Sequence, residues 1–203
     1  MGRIVREDYY FTEPGPENLE DVVEAVEKRV DQAGIRYVVV ASHSGKTALA
    51  FAERLKGKAE VVCVSAQPSR RDRGREWPTI SPENRKRFEE LGVVVLDRFP
   101  YALESTVLEE NMWNTPSADR VVVETLRMFG AGMKVAVQVV LTATSSGYIE
   151  PYQDVIGVGG TAKGADTAIV MKASYATRVF SENPEHRPEI REIITMPLKK
   201  RRD

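Results

Sequence analysis

Residues 38–50 read VVVASHSGKTALA, and this stretch decides how the rest of the chain is read. With Ile35 to Tyr37 before it, IRYVVVAS reads as a buried-type strand, its run from Tyr37 to Ala41 apolar and rich in β-branched residues, as in a strand covered on both faces. TALAFAERLKG, which follows, has the spacing of a short helix closing at Gly57. A strand that passes through a Ser/Gly turn straight into a helix is the first half of a βαβ unit.

The same alternation continues outward. EVVCVSA (60–66), VVVLD (93–97), DVIGVGG (154–160), TAIVMKAS (167–174) and EIREIITMP (189–197) read as further strands. Upstream, residues 16–33 place Leu19, Val22, Val23, Val26 and Val30 on one helical face, with early acidic residues and Gly34 closing the segment. PENRKRFEELG reads as a helix with Ser81 as N-cap and Pro82 in its first turn. Residues 117–129 (SADRVVVETLRMF) are helical and stop at Gly130-Ala131-Gly132. MKVAVQVVLTATSSG is ambiguous between strand and helix; its length and terminal Gly147 favour a buried helix. Residues 98–116 show weak periodicity and are expected to be irregular. Strands alternating with helices predict an α/β fold: a three-layer α/β/α sandwich around a mostly parallel sheet, wound on both sides.

Composition narrows the functional classes. A chain of 203 residues with no linker-like tract is expected to be a single domain over 1–203, with the basic end KKRRD frayed near 199–203. Lys plus Arg number 29 against 30 Asp plus Glu, a formal charge of −1, so bulk charge gives no case for nucleic acid or an anionic membrane as partner. Any anion site must be local. The lone Cys63 excludes an intramolecular disulfide and CxxC metal spacing, and reads as a buried inert thiol. No metal ligand set stands out. No apolar stretch approaches the roughly 18 to 20 residues of a membrane span, and a cytoplasmic protein is the expectation.

SGKT is the tail of the phosphate loop GxxxxGK[ST], but the position of its leading glycine is Val40, inside the strand. Valine resists the positive φ angles of that wrap, and the turn is only Ser42-His43-Ser44 long. What survives is simpler: a short hydroxyl- and glycine-rich turn opening a helix whose first residues are Lys46 and Thr47. Free backbone N–H groups and about half a positive charge at a helix amino end suit a terminal phosphate. The bland alternative is that Ser44 or Thr47 only caps the helix. VVVLD, ending at Asp97, mimics a magnesium-binding strand, so an ATP-dependent small-molecule kinase or NTPase using Lys46 and Asp97 is the rival reading. A second loop, GVGGTAKGADT (157–167), brings four glycines with Thr161, Lys163 and Thr167 between two expected strands; glycine-rich loops are also often plain hairpins. The arginine-rich connection 67–82 is either a solvated loop or a flap over a bound anion.

Taken together, ASHSGKTALAFAERL, FGAGMKVAVQVVLTATSSGYI, and DVIGVGGTAKGADTAIVMKAS followed by EIITMP resemble the stand-alone proteins, common in archaea, related to the C-terminal α/β domain of pyruvate kinase. The likeness runs from PGPEN near residue 15 to the final strand, and GGTAKGADTA is its most specific part. It implies that Ser42, His43, Ser44, Gly45, Lys46 and Thr47 surround a phosphate. It also implies that Gly159, Gly160, Thr161, Lys163, Gly164, Asp166 and Thr167 line the rest of the ligand, with Gly132 and Lys134 completing the binding set. The catalytic barrel of pyruvate kinase is missing, so its activity is not implied. Some stand-alone members hold flavin mononucleotide (FMN), which makes FMN the expected cofactor, and otherwise a sugar phosphate or nucleotide. Gln138 departs from the pattern where a glutamate is expected, and Lys46 is not demanded by the family turn. No nucleophile elbow, HExxH or defensible acid–base set is present, so no catalytic residue is assigned; a homo-oligomer built through Val-rich helix faces stays open.

Overall fold

The computed structural model describes residues 2–103 and 117–200. The greater part of the expected irregular segment 98–116, residues 104–116, and the end of the basic tail, 201–203, lie outside the described residues. Among the described residues seven strands form one sheet: β1 (Tyr9–Phe11), β2 (Tyr37–Ala41), β3 (Glu60–Val64), β4 (Val94–Leu96), β5 (Asp154–Gly159), β6 (Thr167–Lys172) and β7 (Glu189–Pro197). Among the described residues five α-helices accompany them: α1 (Leu19–Ala33), α2 (Lys46–Arg54), α3 (Pro82–Leu91), α4 (Ala118–Arg127) and α5 (Ala131–Ser145). The strand order is β1-β7-β6-β5-β2-β3-β4. Pairs β1/β7, β2/β3, β2/β5 and β3/β4 are parallel, whereas β6 runs antiparallel to both β5 and β7. The sheet is therefore mostly parallel.

The apolar run of β2 is explained by two covers. Val38 and Val40 face one core, shared with Val22, Val23, Val26 and Val30 of α1, Phe51 of α2, Leu55 just past its end, and Phe88 of α3. Val39 faces the other, with Met133, Ala136, Val140 and Leu141 of α5 and Val123 of α4. Side chains alternate across a strand, so a residue pair cannot serve one core alone and both parities must be apolar. Full burial of a side chain such as Phe51, which is 0% exposed, contributes about 1.5–3 kcal/mol. The expectation of a buried helix at 133–147 holds: eleven residues of α5 are buried, from Gly132 to Thr144. A helix can bury so much of its circumference only where sheet and flanking segments both cover it.

Local signals behave as their chemistry asks. Ser81 Oγ accepts from Asn84 N at the head of α3, and Gly34, at φ 63°, ends α1 in the left-handed region. β1 was not expected from the sequence. Three residues carry no readable period, and the strand exists because β7 offers it an edge, Tyr9 opposite Thr195. Arg29, 2% exposed, fastens this region by ion pairs to Asp8 (2.9 Å) and Glu192. Lys199 pairs with Glu13 at 2.8 Å, and the Lys200 ammonium is accepted by Pro197 O. Among the described residues no helix is long and apolar enough to cross a membrane.

The topology brings the candidate segments to one edge. β2 lies between β3 and β5 and parallel to both, so residues 42–45, 65–81 and 160–166 all leave the carboxyl ends of adjacent strands. The crevice outside such strand ends is where open α/β sheets hold ligands.

Candidate functional site

At the end of β2 the chain turns within three residues and enters α2 at Gly45, whose φ of 89° and ψ of −17° fall where a side chain is strained. A Cβ there would also meet the Phe88 ring at 3.1 Å. Ser42 is 4% exposed, and its Oγ accepts from Ala48 N at 3.2 Å, so the capping hydroxyl is Ser42, not Ser44 or Thr47. Capping meets only one of the helix's orphan donors. His43, Ser44 and Lys46 are exposed; Gly45 and Thr47 are buried.

The carbonyls of this turn are tied outward one after another. Ser42 O accepts from Cys63 Sγ at 3.6 Å, His43 O from Ser65 Oγ at 2.9 Å and from Thr79 Oγ1, and Ser44 O from Asn84 Nδ2 at 2.9 Å. In a trans peptide the C=O and the following N–H point in opposite directions. Anchoring the carbonyls of residues 42, 43 and 44 therefore turns the amides of His43, Ser44 and Gly45 the other way, and among the described residues no group accepts from them. Successive N–H groups aimed to one side form an anion-binding concavity. Ser65, Thr79 and Asn84 do this work and were missed by sequence reasoning. Nothing local announces them, since 22 to 40 residues separate donor and acceptor.

The glycine-rich segment is a hairpin connection between β5 and β6, as the bland expectation had it, and a tightly knit one. Asp166 is 0% exposed; its carboxylate accepts from Thr161 N at 2.9 Å and from the Thr167 hydroxyl at 2.8 Å. Gly159 lies beneath α5 and Gly132 abuts Asp166 and Thr167, where a Cβ would stand 2.6 Å from Asp166 Oδ1. Gly164, at φ 74°, packs on Pro16, whose Cα would be 2.6 Å from an added Cβ. Gly160 faces Gly164 O, and Lys163 is exposed at the loop tip. Asp166 and Thr167 thus hold the loop's shape rather than present free groups. Lys134 donates to Gln138 Oε1 at 2.8 Å, and Gln138 Nε2 in turn donates to Ala102 O at 2.8 Å. The position expected to carry a glutamate instead ties Ala102 to α5.

Two groups around the turn have perturbed acidities. The His43 residue is open to solvent, yet crowding of its ring and, after that, the charges of Arg70 and Arg75 lower its pKa. Burial, and secondly the Asp97 carboxylate, pushes the Cys63 thiol up to about 12. Asp97 is 7% exposed, paired with Arg85 and 3.8 Å from Arg98, so its charge is compensated within the fold. Among the described residues no group of three His, Cys, Asp or Glu side chains could hold a metal ion. A surface depression of about 500 Å³ lined by Arg36, Lys56 and Lys58 lies at the opposite, amino-terminal edge of the sheet, remote from this chemistry. No protein-family model matches the sequence.

Proposed function

We propose that this chain is a binding domain for a phosphorylated ligand, of the kind related to the pyruvate kinase C-terminal α/β domain, with FMN as the first ligand and a sugar phosphate or nucleotide as the other occupants. The observation that supports this most is the anchoring of the Ser42, His43 and Ser44 carbonyls, which turns the amides of residues 43–45 away from those donors at the head of α2. In this reading the amides of residues 43–45, the Ser44 hydroxyl, the Thr47 backbone and Lys46 receive the phosphate. The rest of the ligand lies toward Gly160, Thr161 and Lys163, with Gly132, Gly159 and Gly164 permitting close packing of loop on helix. Charge-assisted hydrogen bonds contribute about 1.5–3 kcal/mol each, so three or four hold a phosphate although the chain's formal charge is only −1.

FMN when bound supplies its own redox chemistry. The chain's residues bind and orient; none is assigned a catalytic role. Neither pyruvate kinase activity nor ATP hydrolysis belongs to this reading, and the pairing of Asp97 with Arg85 gives magnesium a poor partner there. The test is spectroscopic and chemical together: absorbance in the flavin bands of purified protein, mass spectrometry of what co-purifies, and titration with FMN. A folded protein that carries no phosphorylated compound and binds none of the three ligand types on reconstitution refutes the proposal.

A further inference from the structure

The basic end, expected from the sequence to fray, is tied down at Lys199 and Lys200 beside the glycine-rich hairpin. β7 runs antiparallel to β6, as β5 does, so it ends at the edge where that hairpin stands. Past its last residue Leu198 N still donates to Phe11 O at 2.7 Å. Lys199 then pairs with Glu13 at 2.8 Å, in the connection that leads into α1. Lys200 goes the other way: a Cβ on Gly130, at the head of α5, would stand 3.5 Å from its Cδ, and its ammonium donates to Pro197 O. α1 and α5 pack on opposite faces of the sheet. Successive side chains of an extended segment point to opposite faces, so two adjacent lysines reach both layers at once.

The two anchor points belong to the segments that grip the hairpin. The connection 12–18, braced by Asn18 Nδ2 on Glu13 O at 2.9 Å, presses Pro16 on Gly164, where an added Cβ would lie 2.6 Å from Pro16 Cα. On the other face Gly132, two residues from Gly130, abuts Asp166 and Thr167. Inside the hairpin Thr161 N donates to the Asp166 carboxylate at 2.9 Å, and Asp166 N donates to Gly159 O at 3.2 Å. Asp166 is 0% exposed and among the described residues has no ion-pair partner. A buried carboxylate without a counter-charge is costly. Lys200 brings positive charge toward it: burial lowers the Lys200 pKa, and the Asp166 carboxylate draws it back up.

We propose that Lys199 and Lys200 form a two-sided strap that holds the hairpin 160–166 between the connection 12–18 and the head of α5, so that the hairpin opens by release of the chain's carboxyl end. The inference stands whatever the turn at 42–47 binds. Lys199 restrains the side at Gly164, and Lys200 restrains the side at Asp166. An exposed pair such as Lys199 with Glu13 shifts an opening equilibrium by about two- to fivefold. The strap is therefore light enough to release without unfolding the sheet, as local openings of a folded chain do.

The experiment is amide hydrogen exchange, read by NMR, on the full chain and its variants Lys199→Gln, Lys200→Gln, Glu13→Gln and the double lysine change. Arg87→Gln is the control, because it removes exposed pairs with Glu53 (3.2 Å) and Glu90 (3.1 Å) away from the hairpin. The expected result is exchange at Thr161 and Asp166 faster by about two- to fivefold in each single strap variant and by about tenfold in the double one. Val39 of β2 and Ile156 of β5 keep their wild-type rates, and Arg87→Gln leaves the hairpin unmoved. Hairpin exchange unchanged in the double variant overturns the inference. So does a rise shared by Val39 and Ile156, which marks lost global stability rather than an opening hairpin. A response to only one of the two lysines overturns the two-sided strap, and an equal response to Arg87→Gln shows that any lost surface pair suffices and overturns it as well.

Discussion

Gly45→Ala probes the turn in two ways that can be separated. The backbone at Gly45 has φ 89°, and forcing a Cβ into that left-handed region costs about 1–2 kcal/mol. The new methyl also meets the Phe88 ring at 3.1 Å, a tight contact against a side chain only 1% exposed, which adds a packing cost. Lower entropy of the unfolded chain returns about 0.4–1 kcal/mol. Cost exceeds gain, and the net is about 1–2 kcal/mol of lost stability. Domains of this size shift about 2–4 °C in Tm per kcal/mol, so the expected fall is about 2–8 °C. Gly34→Ala is the matched control: its φ is 63°, but a Cβ there meets nothing within 4 Å. The difference between the two variants in urea unfolding isolates the Phe88 contact. Gly45→Ala no less stable than wild type, or indistinguishable from Gly34→Ala, refutes the packing account of the turn. A bulkier Gly45→Val worsens both costs, so a loss of binding there is inseparable from damage to the fold.

Other outcomes follow from the same geometry. Gly132→Ala gains helix propensity of about 1 kcal/mol but drives a Cβ into Thr167 Oγ1 and to 2.6 Å from Asp166 Oδ1; a net loss of about 1–3 kcal/mol in denaturant unfolding is expected, and a stabilised variant contradicts the observed packing. Cys63, with its thiol pushed up to about 12, reacts with a thiol reagent at pH 8 only after unfolding, and rapid labelling of native protein is the contrary result. The His43 ring titrates below its ordinary value of 6.5, read by NMR with His43→Gln for assignment. Because the unfolded chain takes up this proton first, the stability it governs is complete above about 6.5 and is lost as pH falls through the folded midpoint. Bound phosphate raises that midpoint, and a midpoint unmoved by saturating phosphate removes His43 from the site.

The layering of the protein was legible in the sequence because it depends on period and length. VVV in β2 must be apolar at both parities to serve two cores, and Ser81, Pro82, Gly34 and the valines of α1 mark helix ends and faces through bonds made within a few residues. The turn at 42–47 and the glycine-rich loop could likewise be picked out one by one. What chain order could not give was their relation. β5 settles beside β2, 118 residues away at Val40 and Val158, and only that pairing brings the two loops to one edge. β1 exists for the same reason, as three residues without a period that find an open edge on β7. The site follows the same rule: Ser65, Thr79 and Asn84 decide where the turn's amides point, from segments with no local mark of that role. Short-range patterns fix which backbone groups are free, whereas the direction in which they face depends on donors that arrive only when distant strands pair.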